Sequence, residues 1–158
     1  MIKTLSSKKA RRLKLEGEIL EDRLKQIFES IKVKYGISQD RQWYNVKIKE
    51  LKKEKSISSI LKNRFKNSLW VALSQVYPHI EWIPWKFADG VPKGYWNDPE
   101  NSKKVFEWIA KELEIKETQD WDRVSPKLVQ SLIPRGLLIR YSNSWRKALM
   151  VGSTHKNF

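Results

Sequence analysis

The chain contains no cysteine, which excludes a disulfide framework, a thiolate nucleophile and a cysteine-based zinc site. Its two histidines, His79 and His155, are too far apart in sequence to make a metal-ligand pair. No apolar run approaches the ~20 residues a membrane-spanning helix needs, so no membrane partner is expected. Glycine is scarce, and no glycine-rich phosphate loop can be found among the six present. Nor is there a Ser/His/Asp grouping or a set of carboxylates at metal-ligand spacing. The expectation is therefore a non-enzymatic protein with no cofactor and no metal. Acidic residues are also few. Eighteen Asp and Glu stand against 32 Lys and Arg, a net charge of +14 and a pI of about 9.9. Such an excess favours polyanionic partners, nucleic acid before an anionic membrane surface.

What is abundant is aromatic and apolar. Eight Trp, five Tyr and five Phe within a 40% hydrophobic composition can build a real core, which excludes a disordered chain.

Two stretches nearly repeat one another. Phe65-Lys66-Asn67-Ser68-Leu69-Trp70-Val71-Ala72-Leu73 matches Tyr141-Ser142-Asn143-Ser144-Trp145-Arg146-Lys147-Ala148-Leu149 at a spacing of 76. Upstream, at a spacing of 78, Ile27-Phe28-Glu29 matches Val105-Phe106-Glu107. Ile31, Ile37, Trp43 and Val46 then fall on Ile109, Ile115, Trp121 and Val124. A correspondence sustained over roughly fifty positions reads as an internal duplication.

The expected fold is all-α: two tandem copies of a small helical unit with a helix-turn-helix-like outline and a basic N-terminal arm. The arm covers 1–15 and contains Lys3, Lys8, Lys9, Arg11 and Arg12; its composition equally suits a targeting tail. The first repeat covers 16–87. Leu20, Leu24, Ile27, Phe28 and Ile31 predict a helix over 13–34 that stops at Gly36. Helices follow at about 48–54, from Ser58 or Ser59 through Phe65, and from Ser68 to just before Pro78. The aromatic tail Tyr77–Phe87 should fold back over them. Residues 88–101, rich in Gly and Pro, read as a linker anchored by Tyr95 and Trp96.

The second repeat, 102–150, predicts a helix over 102–113 and another opened by Ser125-Pro126 that carries Leu128, Val129 and Leu132 inward. A short helix over 137–141 and a last one capped by Ser144 complete it. It lacks the aromatic tail and ends in a C-terminal tail, 151–158. Trp43 and Trp121, at matching positions, read as core residues rather than base-stacking platforms.

The candidate contacts are phosphate contacts. Each repeat ends in helix, Asn-Ser turn, helix, and the exposed N–H groups of such a helix start suit a phosphate oxygen. Lys62, Arg64, Lys66 and Ser68 mark that end in the first repeat; Arg140, Ser144, Arg146 and Lys147 mark it in the second. The alternative is that both serines are plain caps beside solvated lysines. A second cluster holds Lys47, Lys49, Lys52, Lys53 and Lys55. Asp120 and Asp122 flank Trp121, but their counterparts are Gln42 and Tyr44, so a duplicated catalytic pair is excluded and only a single one stays open. Glu29 and Glu107 read as members of structural ion pairs.

Trp-x-x-Val, then Asn-Ser-x-x-x-Ala-Leu, then Tyr-Pro-x-x-x-Trp-x-Pro-Trp-Lys-Phe and Gly-Tyr-Trp resemble a tandem Trp-rich helical repeat. That repeat occurs in proteins of plants, algae, protists, some fungi and large viruses, sometimes beside nuclease or other nucleic-acid domains. The resemblance spans about 24–150 and departs at Ile57-Ser58-Ser59, where the repeat carries glycines. It implies a repeat module in a nucleic-acid context. The reading that follows is a nucleic-acid-binding protein, DNA or RNA, acting through phosphate contacts. A subunit of a large ribonucleoprotein, such as an organellar ribosome, is its specific form. The alternative is a scaffold that docks other protein subunits through the Trp-rich tail and junction.

Overall fold

The structure, a computed structural model, describes residues 7–153. Positions 1–6 of the expected arm, Lys3 among them, and 154–158 of the expected tail lie outside the described residues. The fold is all-α, with no strand among the described residues. The chain divides into two compact units, Met1–Val91 and Pro92–Phe158. The division falls inside the stretch expected to be a linker.

The first helix, α1, spans Ser7–Lys34. It begins six residues before the expected start, so Lys8, Lys9, Arg11 and Arg12 stand on a helix and not on an extended arm. Lys, Arg and Leu are good helix formers, and Arg12 pairs with Glu16 one turn on at 2.8 Å. Every residue from Ser7 to Arg23 is exposed, whereas Leu24, Phe28 and Ile31 are buried.

The chain then reverses at Gly36, whose φ of 63° is left-handed, and the Ile37 N–H closes the turn on the Lys32 carbonyl at 2.8 Å. The 3-10 turn Asp40–Asn45 delivers Trp43, fully buried, against Phe28 with ring centroids 5.7 Å apart. Three helices follow: α2 (Ile48–Leu51), α3 (Lys55–Phe65) and α4 (Leu69–Val76). α2 is shorter than expected, and α3 starts three residues early. The reason is local: the Glu54 carbonyl accepts the Ser58 N–H at 3.0 Å, and Lys34 holds its carboxylate at 2.8 Å. α4 packs on both α1 and α3.

The aromatic tail closes this unit. Trp82 and Phe87 are buried, and both rings pack on Tyr44, at 5.8 and 4.7 Å. The Ile83 N–H donates to the Tyr44 hydroxyl at 3.0 Å, and the Ala88 N–H to the Tyr44 carbonyl at 2.7 Å. Asp89 accepts the Ile48 N–H that opens α2.

The second unit begins with a left-handed Gly94 and a 3-10 turn, Tyr95–Asn97. The Asp98 carboxylate caps α5 (Pro99–Glu112) by accepting the Glu100 N–H at 3.0 Å, with Pro99 at the first helical position. The helix thus starts three residues before the expected 102. It is followed by a 3-10 turn, Thr118–Asp122, with Trp121 buried, and by α6 (Pro126–Leu132), α7 (Arg135–Arg140) and α8 (Trp145–Ser153). α8 lies close on α5: a Cβ added at Gly152 would stand 3.3 Å from the Lys103 Cα. Of the three residues expected on its inner side, α6 buries Val129, half-buries Leu132 and leaves Leu128 44% exposed. At seven residues it is too short to bury more than one stripe.

Local geometry recurs between the units. Glu114 takes the left-handed φ (55°) that Gly36 takes 78 positions earlier, and the Ile115 N–H closes that turn on Ala110 as Ile37 does on Lys32, each at 2.8 Å. Lys66-Asn67 and Ser142-Asn143 are two pairs of consecutive left-handed residues, with φ of 49–59°. The closing bonds differ by one position: the Asn67 N–H reaches six residues back to the Leu61 carbonyl and the Asn143 N–H five back to that of Leu138, at 2.8 Å in both.

Candidate nucleic-acid interface

Positive charge is unequal between the units. The first has twenty Lys and Arg against ten Asp and Glu, a net +10; the second has twelve against eight, a net +4. Within the first unit it concentrates over 47–66. Lys47, Lys49, Lys52, Lys55, Lys62, Arg64 and Lys66 are all exposed, and none makes an ion pair among the described residues. Lys53 is different, because Glu50 holds its ammonium and raises its pKa through that hydrogen bond. The fold supplies this density by making α2 and α3 short, amphipathic and close in sequence. Ile48, Leu51, Ile57, Leu61 and Phe65 turn inward, so every intervening lysine is forced outward.

The matching helix starts are less alike than the sequence suggests. Ser68 sits at the cap position of α4, and its carbonyl accepts the Ala72 N–H, but its hydroxyl is buried without a hydrogen bond. The hydroxyl therefore makes no cap hydrogen bond. The Ser144 hydroxyl accepts the Lys147 N–H at 3.4 Å, a long bond. Arg140 donates to the Asn97 side chain at 2.7 Å. Arg146 lies over the Trp145 ring at 4.7 Å and contacts Asp122 at 3.3 Å. Lys147 is exposed. Arg140 and Arg146 are therefore held by polar partners, whereas Arg64, which lies over the Phe65 ring at 5.6 Å, makes no ion pair among the described residues.

On α1, Arg12 is paired, and Lys8, Lys9 and Arg11 are exposed without ion pairs among the described residues. No Trp is exposed; the exposed large apolar side chains include Leu13, Leu15, Ile19 and Leu20 of α1.

Two of the carboxylates singled out in the sequence, Glu29 and Asp120, hold structural hydrogen bonds, whereas Glu107 makes no ion pair among the described residues. Glu29 accepts the Tyr77 hydroxyl at 2.9 Å rather than pairing with a cation, and burial, then that bond, raises the Tyr77 pKa. Asp120 accepts the Lys116 and Glu117 N–H groups at 2.9 Å, and those backbone bonds lower its pKa. Gln42 does the same task uncharged, accepting from Ser38 N–H at 2.7 Å and Gln39 N–H at 2.8 Å. No group of His, Asp and Glu suited to a metal ion occurs among the described residues.

The sequence reading missed Arg23. It lies on α1 at the edge of a groove of about 560 Å³ between α1 and α3, which Lys55 and Arg64 also line. Only tertiary packing brings those three together. No protein family, no curated protein and no solved structure matches this chain.

Proposed function

We propose that this chain is a non-enzymatic nucleic-acid-binding protein that contacts phosphates mainly through its first unit. The observation that supports this is the set of seven exposed, unpaired cations over 47–66. Unpaired lysines held this densely repel one another, and a phosphate backbone relieves that repulsion by releasing its own counterions. A role as a subunit of a large ribonucleoprotein fits the same surface. The recurring turns further support two tandem copies of one helical unit, the second without the aromatic tail, as in the Trp-rich repeat the sequence resembles.

The deciding measurement is affinity for duplex DNA, duplex RNA and a single strand across a salt series. Each duplex-DNA phosphate contact contributes about −0.9 to the slope of log K against log salt. Lys47→Ala/Lys49→Ala/Lys52→Ala should flatten the slope by about 2 to 3. Arg140→Ala/Arg146→Ala should leave it nearly unchanged. A triple variant indistinguishable from the parent would defeat the assignment. The duplication is tested separately: Gln42→Asp and Asp120→Gln should each fold, because each places in one unit the acceptor the other already uses.

A further inference from the structure

In the second unit, the 3-10 turn Tyr95–Asn97 packs against both α5 and α7. It is fixed at three points. The Asn101 amide donates to the Tyr95 carbonyl at 2.8 Å, Arg140 donates to Asn97, and Trp96 lies so close to α7 that a Cβ on Gly136 would meet its Nε1 at 2.9 Å. An aromatic turn thus fills the space between the long helix and the helix before the Asn-Ser turn.

The corresponding space in the first unit is open. At spacings of 78 and 76, Asn101 corresponds to Arg23, Gly136 to Ile60 and Arg140 to Arg64. All three of those residues line the α1/α3 groove. The cause of the difference is in the sequence. Asp98-Pro99 stops α5 and turns the chain back, whereas the corresponding Leu20-Glu21 lets α1 run on to Ser7. Among the described residues, no segment of the first unit takes the place that Tyr95–Asn97 takes in the second.

We infer that the α1/α3 groove docks an aromatic, acidic segment of a partner protein, seated as Tyr95–Asn97 is seated in the second unit. This rests on the positional correspondence between the units and not on nucleic-acid binding. Leu24, Ile27 and Ile60 give the groove an aliphatic floor. Arg23, Lys55 and Arg64 rim it, none with an ion pair among the described residues, and no carboxylate lines it. An apolar floor inside a cationic rim selects an aromatic anchor flanked by Asp or Glu. The composition argues against other occupants. The α1 N-terminal half of a second copy carries Lys8, Lys9, Arg11 and Arg12 and meets like charge. The floor has no aromatic face on which a base could stack. A flat membrane surface does not enter a concave site.

The probe is a fluorescein-labelled, amidated peptide of the sequence Pro-Lys-Gly-Tyr-Trp-Asn-Asp-Pro-Glu, titrated with the full chain and followed by anisotropy. Saturable binding is expected. It should weaken at least tenfold with Arg23→Glu/Arg64→Glu, with Ile60→Ser, or with Trp replaced by Ala in the peptide. Lys127→Glu, an exposed charge of the second unit, should leave it within twofold. In the parent chain, amide resonances of α1 and α3 should shift on peptide addition, a readout that needs no variant. Absence of saturable binding overturns the proposal, as does binding that ignores both groove variants. So does an oligonucleotide whose affinity falls tenfold with Ile60→Ser while the peptide does not bind, since the groove would then hold nucleic acid. If Gln42→Asp and Asp120→Gln fold normally and the peptide still fails to bind, the docking inference alone is lost.

Discussion

At the residue scale, three side chains carry distinct stability terms. Ser102 is fully buried on α5 and its hydroxyl has no hydrogen-bond partner. A buried hydroxyl without a partner costs its desolvation, so Ser102→Ala should raise stability by about 1 kcal/mol, read as a higher Tm. Tyr77 is protonated in the fold and its pKa lies above the ordinary 10.0. A raised folded pKa means the stabilisation is whole below about pH 10 and is lost as pH rises from there towards the folded value. Tyr77→Phe should therefore flatten the alkaline dependence in denaturant titrations between pH 9 and 11, leaving the share of Tyr35 and Tyr95, whose pKa values are also raised. Asp120 has the opposite sign. Its lowered pKa gives stability that is present above the ordinary 3.8 and lost as pH falls through the folded value. Gln42, in the matching turn, adds no such acid dependence.

At the scale of elements, the reversals depend on backbone conformation. Asn67 and Asn143 each hold a left-handed φ, which Asn tolerates and a β-branched residue does not. Asn67→Val should cost about 1 to 2 kcal/mol, with Asn67→Gly close to the parent; urea midpoints will separate them. Gly136 is demanding for another reason. Its φ is ordinary, but Trp96 occupies the space of its Cβ. Gly136→Ala should cost about 1 to 3 kcal/mol by overpacking and shift Trp fluorescence as the indole is displaced.

For the whole molecule, net charge divides unequally between the units, whereas exposed apolar side chains occur in both. The first unit carries most of the excess charge, together with the exposed half of α1 and the open groove. Nucleic-acid affinity should accordingly respond to substitutions over 47–66 far more than to those over 135–147, and a salt series on charge-neutralised variants checks this. The Trp residues serve the units themselves. Trp43, Trp82, Trp121 and Trp145 are buried, and Trp70, Trp85, Trp96 and Trp108 are half-buried.

The sequence by itself determined the helical class, the two matching stretches, the buried Trp43 and Trp121, and the inward fold of the Tyr77–Phe87 tail. Periodicity, aromatic spacing and Asn-Ser turns are local signals, and they are written in consecutive residues. It also placed the lysines of α2 and α3, since apolar positions in a short helix dictate where the others must point. Tertiary structure alone decided that the Ser68 hydroxyl is buried, that Arg140 and Arg146 have polar partners from distant positions while Arg64 only lies over the adjacent Phe65 ring, and that Arg23 joins Lys55 and Arg64 at one groove. Those outcomes depend on which helix lies beside which. In the second unit Asp98-Pro99 turns an aromatic segment back to fill that space, and in the first an uninterrupted helix leaves it open.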